Sequence, residues 1–257
     1  MDVYGLIGHP LEHSFSKKYF TEKFRKEDIS AHFELFPIAS LAEFSTLISD
    51  NEHLQGLAVT IPYKVAVIPF LTRLTPQAQQ IGAVNCIEFA QGEMIGHNTD
   101  ATGFEKSLMP LLNHHHKGAL ILGTGGAAMA VKYVLEKIGL PYLFVTRQSS
   151  LKQDVILYEE ISQALLSEYP VIINCTPVGM HPNQNDKPSL PYHLLTVNNL
   201  LYDLIYNPEE TLFLKEGKQK GCLIKNGLEM LVLQAEENWK IWHQVKLITI
   251  PDSQAIR

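Results

Sequence analysis

Cysteine is scarce in this chain. Its 257 residues include only Cys86, Cys175 and Cys222. Their spacing makes no zinc motif, and an odd number makes no closed disulfide framework. All three lie in apolar or strand-like stretches, which predicts buried free thiols and a reducing, cytoplasmic setting. No apolar run is long enough to span a bilayer. The opening MDVYGLIGHP lacks the basic start and long apolar core of a signal peptide, so none is expected. There is no long Lys/Arg run, and the net charge is -6. That argues against nucleic acid or an anionic membrane as the main partner, while a local basic pocket for a small anion is still allowed. Repeats and low-complexity linkers are missing too. The histidines at 114–116 have no carboxylate or cysteine set beside them, so a solvated loop is expected there and no metal.

What is present is ordinary globular composition, with 46% apolar and 19% charged residues, which excludes disorder. Short apolar runs alternate with longer amphipathic ones, the pattern of an α/β protein. Strands are predicted at 3–7, 32–38 and 57–61, the last stopped by Pro62. Helices are predicted at 16–26 and 41–49. Residues 86–89 and 94–97, joined through Gln91-Gly92, predict a hairpin. A helix at 101–112 follows, then a polar stretch at 113–117. Beyond it come strands at 118–122, 142–145, 171–174 and 200–204, and helices at 127–138 and 227–245. The division expected is a substrate-binding α/β domain over 1–100, a Rossmann-type domain over 101–226, and a C-terminal helix, 227–257, returning to the first domain. A cleft between the two domains would hold the site.

The sharpest local signal is Gly123-Thr124-Gly125-Gly126-Ala127-Ala128 after the apolar run 120–122. It fits G-x-G-x-x-A between a strand and a helix, the context that a dinucleotide turn requires. Gly123 permits the tight turn and Gly125 lets the backbone approach a pyrophosphate. The helix starting near Ala127 aims free N–H groups at the anion. A tight turn without a ligand is the plain alternative. The next strand ends Thr146-Arg147-Gln148-Ser149-Ser150, with Lys152 close behind. NAD-binding proteins usually place Asp or Glu there for the ribose 2′-hydroxyl. A cation among hydroxyls suits a 2′-phosphate, so NADP (NADPH) is expected. The plain alternative for Arg147 is a solvated surface charge.

Ser14, Ser16, Thr60, Asn85 and Gln234 are neutral hydrogen-bonding side chains beyond strand ends or on the last helix. Such groups suit a small substrate rich in hydroxyls and carrying a carboxylate. Each also has a plain reading. Ser14 or Ser16 could cap a helix, Thr60 could be a strand residue, and Asn85 could bond to a turn backbone. Lys64 and Asp100 suit ketone reduction. An ammonium beside the carbonyl polarises it and supplies a proton, and a carboxylate holds that ammonium in place. Lys64 could equally be a solvated lysine and Asp100 a helix cap.

Taken together, these segments resemble shikimate dehydrogenase: 8–16 (GHPLEHSFS), 56–64 (GLAVTIPYK), 82–85 (GAVN), 96–100 (GHNTD), 174–180 (NCTPVGM), 202–206 (YDLIY) and 227–231 (GLEML) with Gln234. They run in order over nearly the whole chain. The resemblance implies that Ser14 and Ser16 hold the substrate carboxylate and that Thr60, Asn85 and Gln234 hold ring hydroxyls. It implies that Lys64 and Asp100 form the acid–base pair. It places Tyr206 near substrate and nicotinamide, and Leu204 and Gly227 at the nicotinamide end. Asn174, Thr176, Pro177 and Met180 would line the cofactor cleft. His9 and His13 receive structural roles. Two departures stand out. Members using NADP often carry Asn-Arg-Thr where this chain has Thr146-Arg147-Gln148, and Thr124 replaces a usual Ala.

The activity expected is reversible, NADPH-dependent reduction of 3-dehydroshikimate to shikimate, in the pathway to chorismate and the aromatic amino acids. The enzyme would be a monomer or homodimer needing no metal. Rival readings are a quinate/shikimate dehydrogenase with dual substrate or NAD use, a non-catalytic dinucleotide-binding sensor, and a folate-linked dehydrogenase, which the paired serines disfavour.

Overall fold

A computed structural model describes residues 1–11, 14–148 and 153–248. The chain divides into two compact units. One is Met1–Thr99 together with the chain from Ala235 onward, and the other is Asp100–Gln234.

The first unit runs β1 (Asp2–Ile7), α1 (Phe15–Lys26), β2 (Ala31–Phe36), α2 (Phe44–Asp50), β3 (Leu54–Val59), α3 (Tyr63–Ala66), β4 (Arg73–Leu74), α4 (Pro76–Ile81), β5 (Cys86–Ala90) and β6 (Glu93–His97). Its sheet has the order β2-β1-β3-β5-β6-β4. β1 pairs in parallel with β2 and β3, whereas β5 is antiparallel to both β3 and β6. Alternate residues of β1 feed two cores, as the two-residue period of a strand dictates. Val3 and Ile7 join Phe44, Leu57 and Val59, while Tyr4 and Leu6 join Phe20, Phe24 and Ala58. Trp239 and Trp242, from the helix Leu228–Ile248, complete the second core. Gly56 makes room for Trp242, since a Cβ there would collide with its indole. The Trp242 Nε1–H donates to the Ile87 carbonyl at 3.0 Å. The β5–β6 turn places Gln91 at φ 53° and Gly92 at φ 82°, the left-handed pair that a two-residue hairpin favours.

The second unit begins one residue into α5 (Thr99–Leu108). It continues through β7 (Ala119–Leu122), α6 (Gly126–Lys137), β8 (Tyr142–Thr146), β9 (Val155–Leu157), α7 (Gln163–Glu168), β10 (Val171–Asn174), β11 (Leu200–Asp203), α8 (Leu212–Gln219) and β12 (Leu223–Lys225) into α9 (Leu228–Ile248). The sheet order is β12-β11-β10-β7-β8-β9, with every pair parallel. In order of appearance within the unit that is the mirror listing of 3-2-1-4-5-6, the Rossmann arrangement. β7, β10 and β11 are buried along their whole length, as central parallel strands must be, which is why they read as continuous apolar runs.

Several boundaries differ from expectation. β3 starts three residues earlier than predicted and stops at Val59, so Thr60 lies just past the strand. β2 ends at Phe36, ahead of Pro37. The helix predicted over 101–112 is α5 followed by a 3₁₀ turn over Met109–Leu111, because Pro110 cannot continue an α-helical ladder. α3, β4, α4, β9, α7, α8 and β12 lie outside the predicted elements; each has eight residues or fewer, too few for periodicity to register.

Candidate active site

In the first unit, the candidate substrate residues gather beyond the carboxyl ends of β1 and β3. The Thr60 N–H donates to the Ile7 carbonyl at 2.9 Å, and the His9 N–H to the Ile61 carbonyl at 3.1 Å. These bonds tie the two strand ends together. A Cβ on Gly8 would collide with Thr60 Cγ2, so glycine sets how closely they approach. Ser14 caps α1, its Oγ accepting from the Lys17 N–H at 3.4 Å; Ser16 lies in the first turn of that helix. Lys64 sits on α3 directly after Tyr63, whose hydroxyl donates to the Ile38 carbonyl at 2.7 Å. The Lys64 carbonyl accepts from the Val84 N–H at 2.7 Å, and the Asn85 carbonyl accepts from the Val59 N–H at 2.9 Å. The turn carrying Asn85 is thereby stitched to both the end of β3 and α3. Lys64 is half-buried and Asn85 is buried.

Asn85 also reaches the start of α5. Its Nδ2 donates to Thr99 Oγ1 at 2.9 Å, and its Oδ1 accepts from the Thr99 N–H at 2.6 Å. Thr99 Oγ1 in turn donates to Asn238 Oδ1 at 2.6 Å. Asn85 Oδ1 thus bonds to backbone, whereas its Nδ2 bonds to a side-chain hydroxyl. Asp100 is the next residue, in the first turn of α5, and is buried.

Within the second unit, α5 crosses α9 at Gly103. A Cβ there would come 2.6 Å from the Met230 carbonyl oxygen and 3.1 Å from the Gln234 nitrogen. Asp100 lies one turn earlier, on the same face of α5 as Gly103. The crossing thus brings Asp100 and Gln234, both buried, to one region of this unit.

The glycine turn stands at the switch point of the second sheet. The chain leaves β7 toward β8 on one side, while β10 adjoins β7 on the other, and ligands of such sheets bind where the order reverses. Gly123 takes φ 97°, and a Cβ on it would press 2.9 Å from Thr176 Cγ2. Gly125 is the N-cap of α6, with no side-chain cap. Open space surrounds its Cβ position. Thr124 and Gly125 are exposed, Gly126 and Ala127 half-exposed, and the small Ala128 is buried. A helix N-terminus without a side-chain cap, preceded by an exposed glycine turn, fits a pyrophosphate. At the end of β8, Arg147 is exposed, while the Thr146 hydroxyl donates to the Gln148 carbonyl at 2.7 Å. Burial pushes the Tyr158 hydroxyl pKa up, and the Arg147 charge beside it pulls it back. Ser149, Ser150, Lys152 and His13 lie outside the described residues.

A buried polar network backs this turn. Asp203, fully buried at the end of β11, accepts from Asn174 Nδ2 at 3.0 Å, the Ile205 N–H at 3.1 Å and Thr211 Oγ1 at 2.6 Å. Asn174 Oδ1 accepts from the Thr176 N–H at 3.1 Å and its hydroxyl at 2.6 Å. Burial raises the Asp203 pKa to about 6 against the pull of these donors. Nearby, the Gly227 N–H donates to the Ile205 carbonyl at 3.0 Å. Gly227 lies so close to the Leu204 carbonyl that no side chain fits. Tyr206 is half-buried, and burial raises its hydroxyl pKa. Sequence reasoning gave no role to Asp203 or Gly103. An acid ending an apolar strand is the one signal that marks Asp203. Among the described residues no cluster of His, Cys, Asp and Glu could hold a metal ion.

A Rossmann sheet with a glycine turn at its switch point, in one chain with an α/β unit that carries hydroxyl, amide and lysine side chains at its strand ends, defines the class of dinucleotide-dependent oxidoreductases. The model of the shikimate dehydrogenase substrate binding domain matches residues 6–87. A relative from Carboxydothermus hydrogenoformans, named shikimate dehydrogenase (NADP(+)), is 36% identical over 93% of this chain and 90% of its own. Among solved structures, a chorismate mutase/shikimate 5-dehydrogenase fusion protein from Clostridium acetobutylicum superposes with a TM-score of 0.82 at 35% identity, over 95% of this chain and 92% of that one. The shikimate 5-dehydrogenase of Thermus thermophilus, in complex with NADP(H) and shikimate, gives 0.83 at 29% identity over 95% and 94%. The chain belongs to the shikimate dehydrogenase family.

Proposed function

We propose that this chain catalyses the reversible, NADPH-dependent reduction of 3-dehydroshikimate to shikimate. The observation that carries the reading is the match to an NADP(+)-named relative across 93% of the chain. The uncapped glycine turn at the sheet's switch point supports it.

When bound, NADPH would supply a hydride to the ketone carbon. Lys64 donates a hydrogen bond to the ketone oxygen, draws electron density from the carbonyl and gives up a proton as the oxygen becomes a hydroxyl. In the reverse direction it takes that proton back. Asp100 is the partner of Lys64 in this acid–base pair. Ser14 and Ser16 receive the substrate carboxylate through their hydroxyls. Thr60, Asn85 and Gln234 bond to the ring hydroxyls, and Tyr206 borders the substrate. The backbone of Gly123, Thr124, Gly125, Gly126 and Ala127 receives the pyrophosphate. Thr146 and Arg147 receive the 2′-phosphate, and Thr176, Leu204 and Gly227 border the nicotinamide end. Residues 1–100 with the C-terminal helix are the substrate-binding part and 101–226 the NADP-binding part.

The reading extends to a cytoplasmic enzyme, monomeric or homodimeric. Three free cysteines support a reducing compartment, and among the described residues no helix is long and apolar enough to cross a membrane.

The test is absorbance at the reduced-nicotinamide band with shikimate or quinate and NADP or NAD. Turnover of shikimate with NADP well above the other three combinations is expected. Turnover chiefly of quinate, or chiefly with NAD, would move the chain to a sister activity. A folded protein that binds dinucleotide without any turnover would identify a sensor.

A further inference from the structure

Asp203 points away from solvent and has no place in the proposed chemistry, yet it accepts hydrogen bonds from donors in three separate segments. One comes from Asn174 at the end of β10, one from Ile205 in the segment that follows β11, and one from Thr211 at the N-terminus of α8. The bond to Asn174 decides which way that amide faces. With Nδ2 given to Asp203, Oδ1 must face Thr176, where it accepts from both the backbone and the hydroxyl. Thr176, so held, lays its methyl against Gly123, whose missing Cβ leaves just that space. The Asn174 carbonyl also accepts from the Leu204 N–H at 3.0 Å.

We propose that Asp203 is a positioning residue for dinucleotide binding, acting through Asn174 and Thr176 to hold the wall of the glycine turn and through Ile205 to hold the segment carrying Leu204. It touches no ligand itself. The proposal rests on the reading of this turn as the NADP site. A neutral amide would serve nearly as well. In Asp203→Asn, Oδ1 still accepts from Asn174 and Ile205, while Nδ2 meets Thr211 Oγ1, which can accept instead. Alanine removes all three hydrogen bonds and leaves Asn174 Nδ2 with only its 3.4 Å bond to the Val178 carbonyl, so the amide is held less firmly.

The experiment is NADP titration of the purified full chain, followed by protein fluorescence, alongside separate KM values for NADP and shikimate and a thermal melt. Asp203→Ala should raise the NADP Kd about tenfold, the scale of one hydrogen bond to a charged group. Its KM for shikimate should stay near wild type, and Asp203→Asn should keep the NADP Kd within about threefold. The effect of Thr176→Val should be non-additive with Asp203→Ala, because both break one chain of contacts. If Asp203→Ala does not fold, Thr211→Val, which removes one of the three donors, should raise the NADP Kd about threefold. A lowered melting temperature with unchanged NADP Kd in Asp203→Ala or Thr211→Val overturns the proposal, since that is what a purely structural acid would give. A wild-type chain that does not bind NADP overturns the reading of the turn itself, and this proposal with it.

Discussion

Gly103 and Met230 meet backbone to backbone: a Cβ on the glycine would stand 2.6 Å from the Met230 carbonyl oxygen. This contact sets the distance between α5, which carries Asp100, and α9, which carries Gln234. Gly103→Ala must push the helices apart, at a cost of about 1–3 kcal/mol for overpacking. A thermal melt reads that loss. If Asp100 and Gln234 act on one substrate, KM for shikimate should rise while the NADP Kd stays unchanged. A variant as stable and as active as wild type would show that the helices have slack.

Lys64→Ala should lower kcat by about two to four orders of magnitude, the usual contribution of a positioned acid–base group. NADP affinity should hold, since Lys64 belongs to the first unit and the glycine turn to the second. Single-turnover kinetics with a dinucleotide titration separate the two quantities. Near wild-type kcat would remove Lys64 from the chemistry.

Arg147→Ala should weaken NADP roughly 10- to 100-fold while leaving NAD nearly unaffected, as expected for a guanidinium paired with a 2′-phosphate. Steady-state KM values for both cofactors decide it. Equal loss for both would mean that Arg147 is an ordinary exposed cation.

Asp203 also predicts a pH dependence of stability. Its pKa rises on folding from 3.8 to about 6, with burial the main cause. The folded state therefore holds a proton that the unfolded chain releases between those values. The stabilisation linked to that proton is complete below about pH 4 and is lost as pH climbs through about 6. Burial above all, with a smaller contribution from the Asp203 charge, raises the pKa of the Cys175 thiol and the Tyr192 hydroxyl, so neither neighbour titrates in this window. Chemical denaturation of wild type and Asp203→Asn at pH 4, 5, 6 and 7 should show wild type losing ground to the variant as pH rises. A constant difference would mean an ordinary carboxylate.

Trp242→Ala should cost about 3–5 kcal/mol, typical of a buried aromatic truncated to alanine. The indole fills the space over Gly56 and its N–H is bonded to the Ile87 carbonyl. Denaturant titration should show the loss. A loss below about 1 kcal/mol would mean that the core closes around the gap.

Much of this molecule is legible in its sequence where the physics is local. The Gln91-Gly92 hairpin, the capping serine of α1 and the apolar runs of β7, β10 and β11 each follow from a few neighbouring residues. The turn at Gly123 is legible because its glycines, the strand before it and the helix after it lie within one short stretch. α7 and β12 are not, with six and three residues. Neither shows a period; the Ser162 cap holds the start of α7, and pairing with β11 holds β12. Asn85 is legible as a polar residue at a turn but not as the partner of Thr99, fourteen residues on. Asp203 stays hidden for the same reason. Ile205 is only two residues away, but Asn174 is twenty-nine residues away and comes to Asp203 only through the folded sheet.

The division of α9 between the two units bears on the order in which the protein assembles as it leaves the ribosome. The second unit, Asp100–Gln234, is one unbroken stretch of chain and can close on itself as soon as it has emerged. The first unit cannot, although its sheet is made earliest. Tyr4, Phe20 and Phe24 wait for Trp239 and Trp242, which are synthesised only after the whole second unit. Until then the nascent chain carries an open aromatic face, and a ribosome that stops short of these tryptophans would release the later-made half folded and the earlier-made half unfinished.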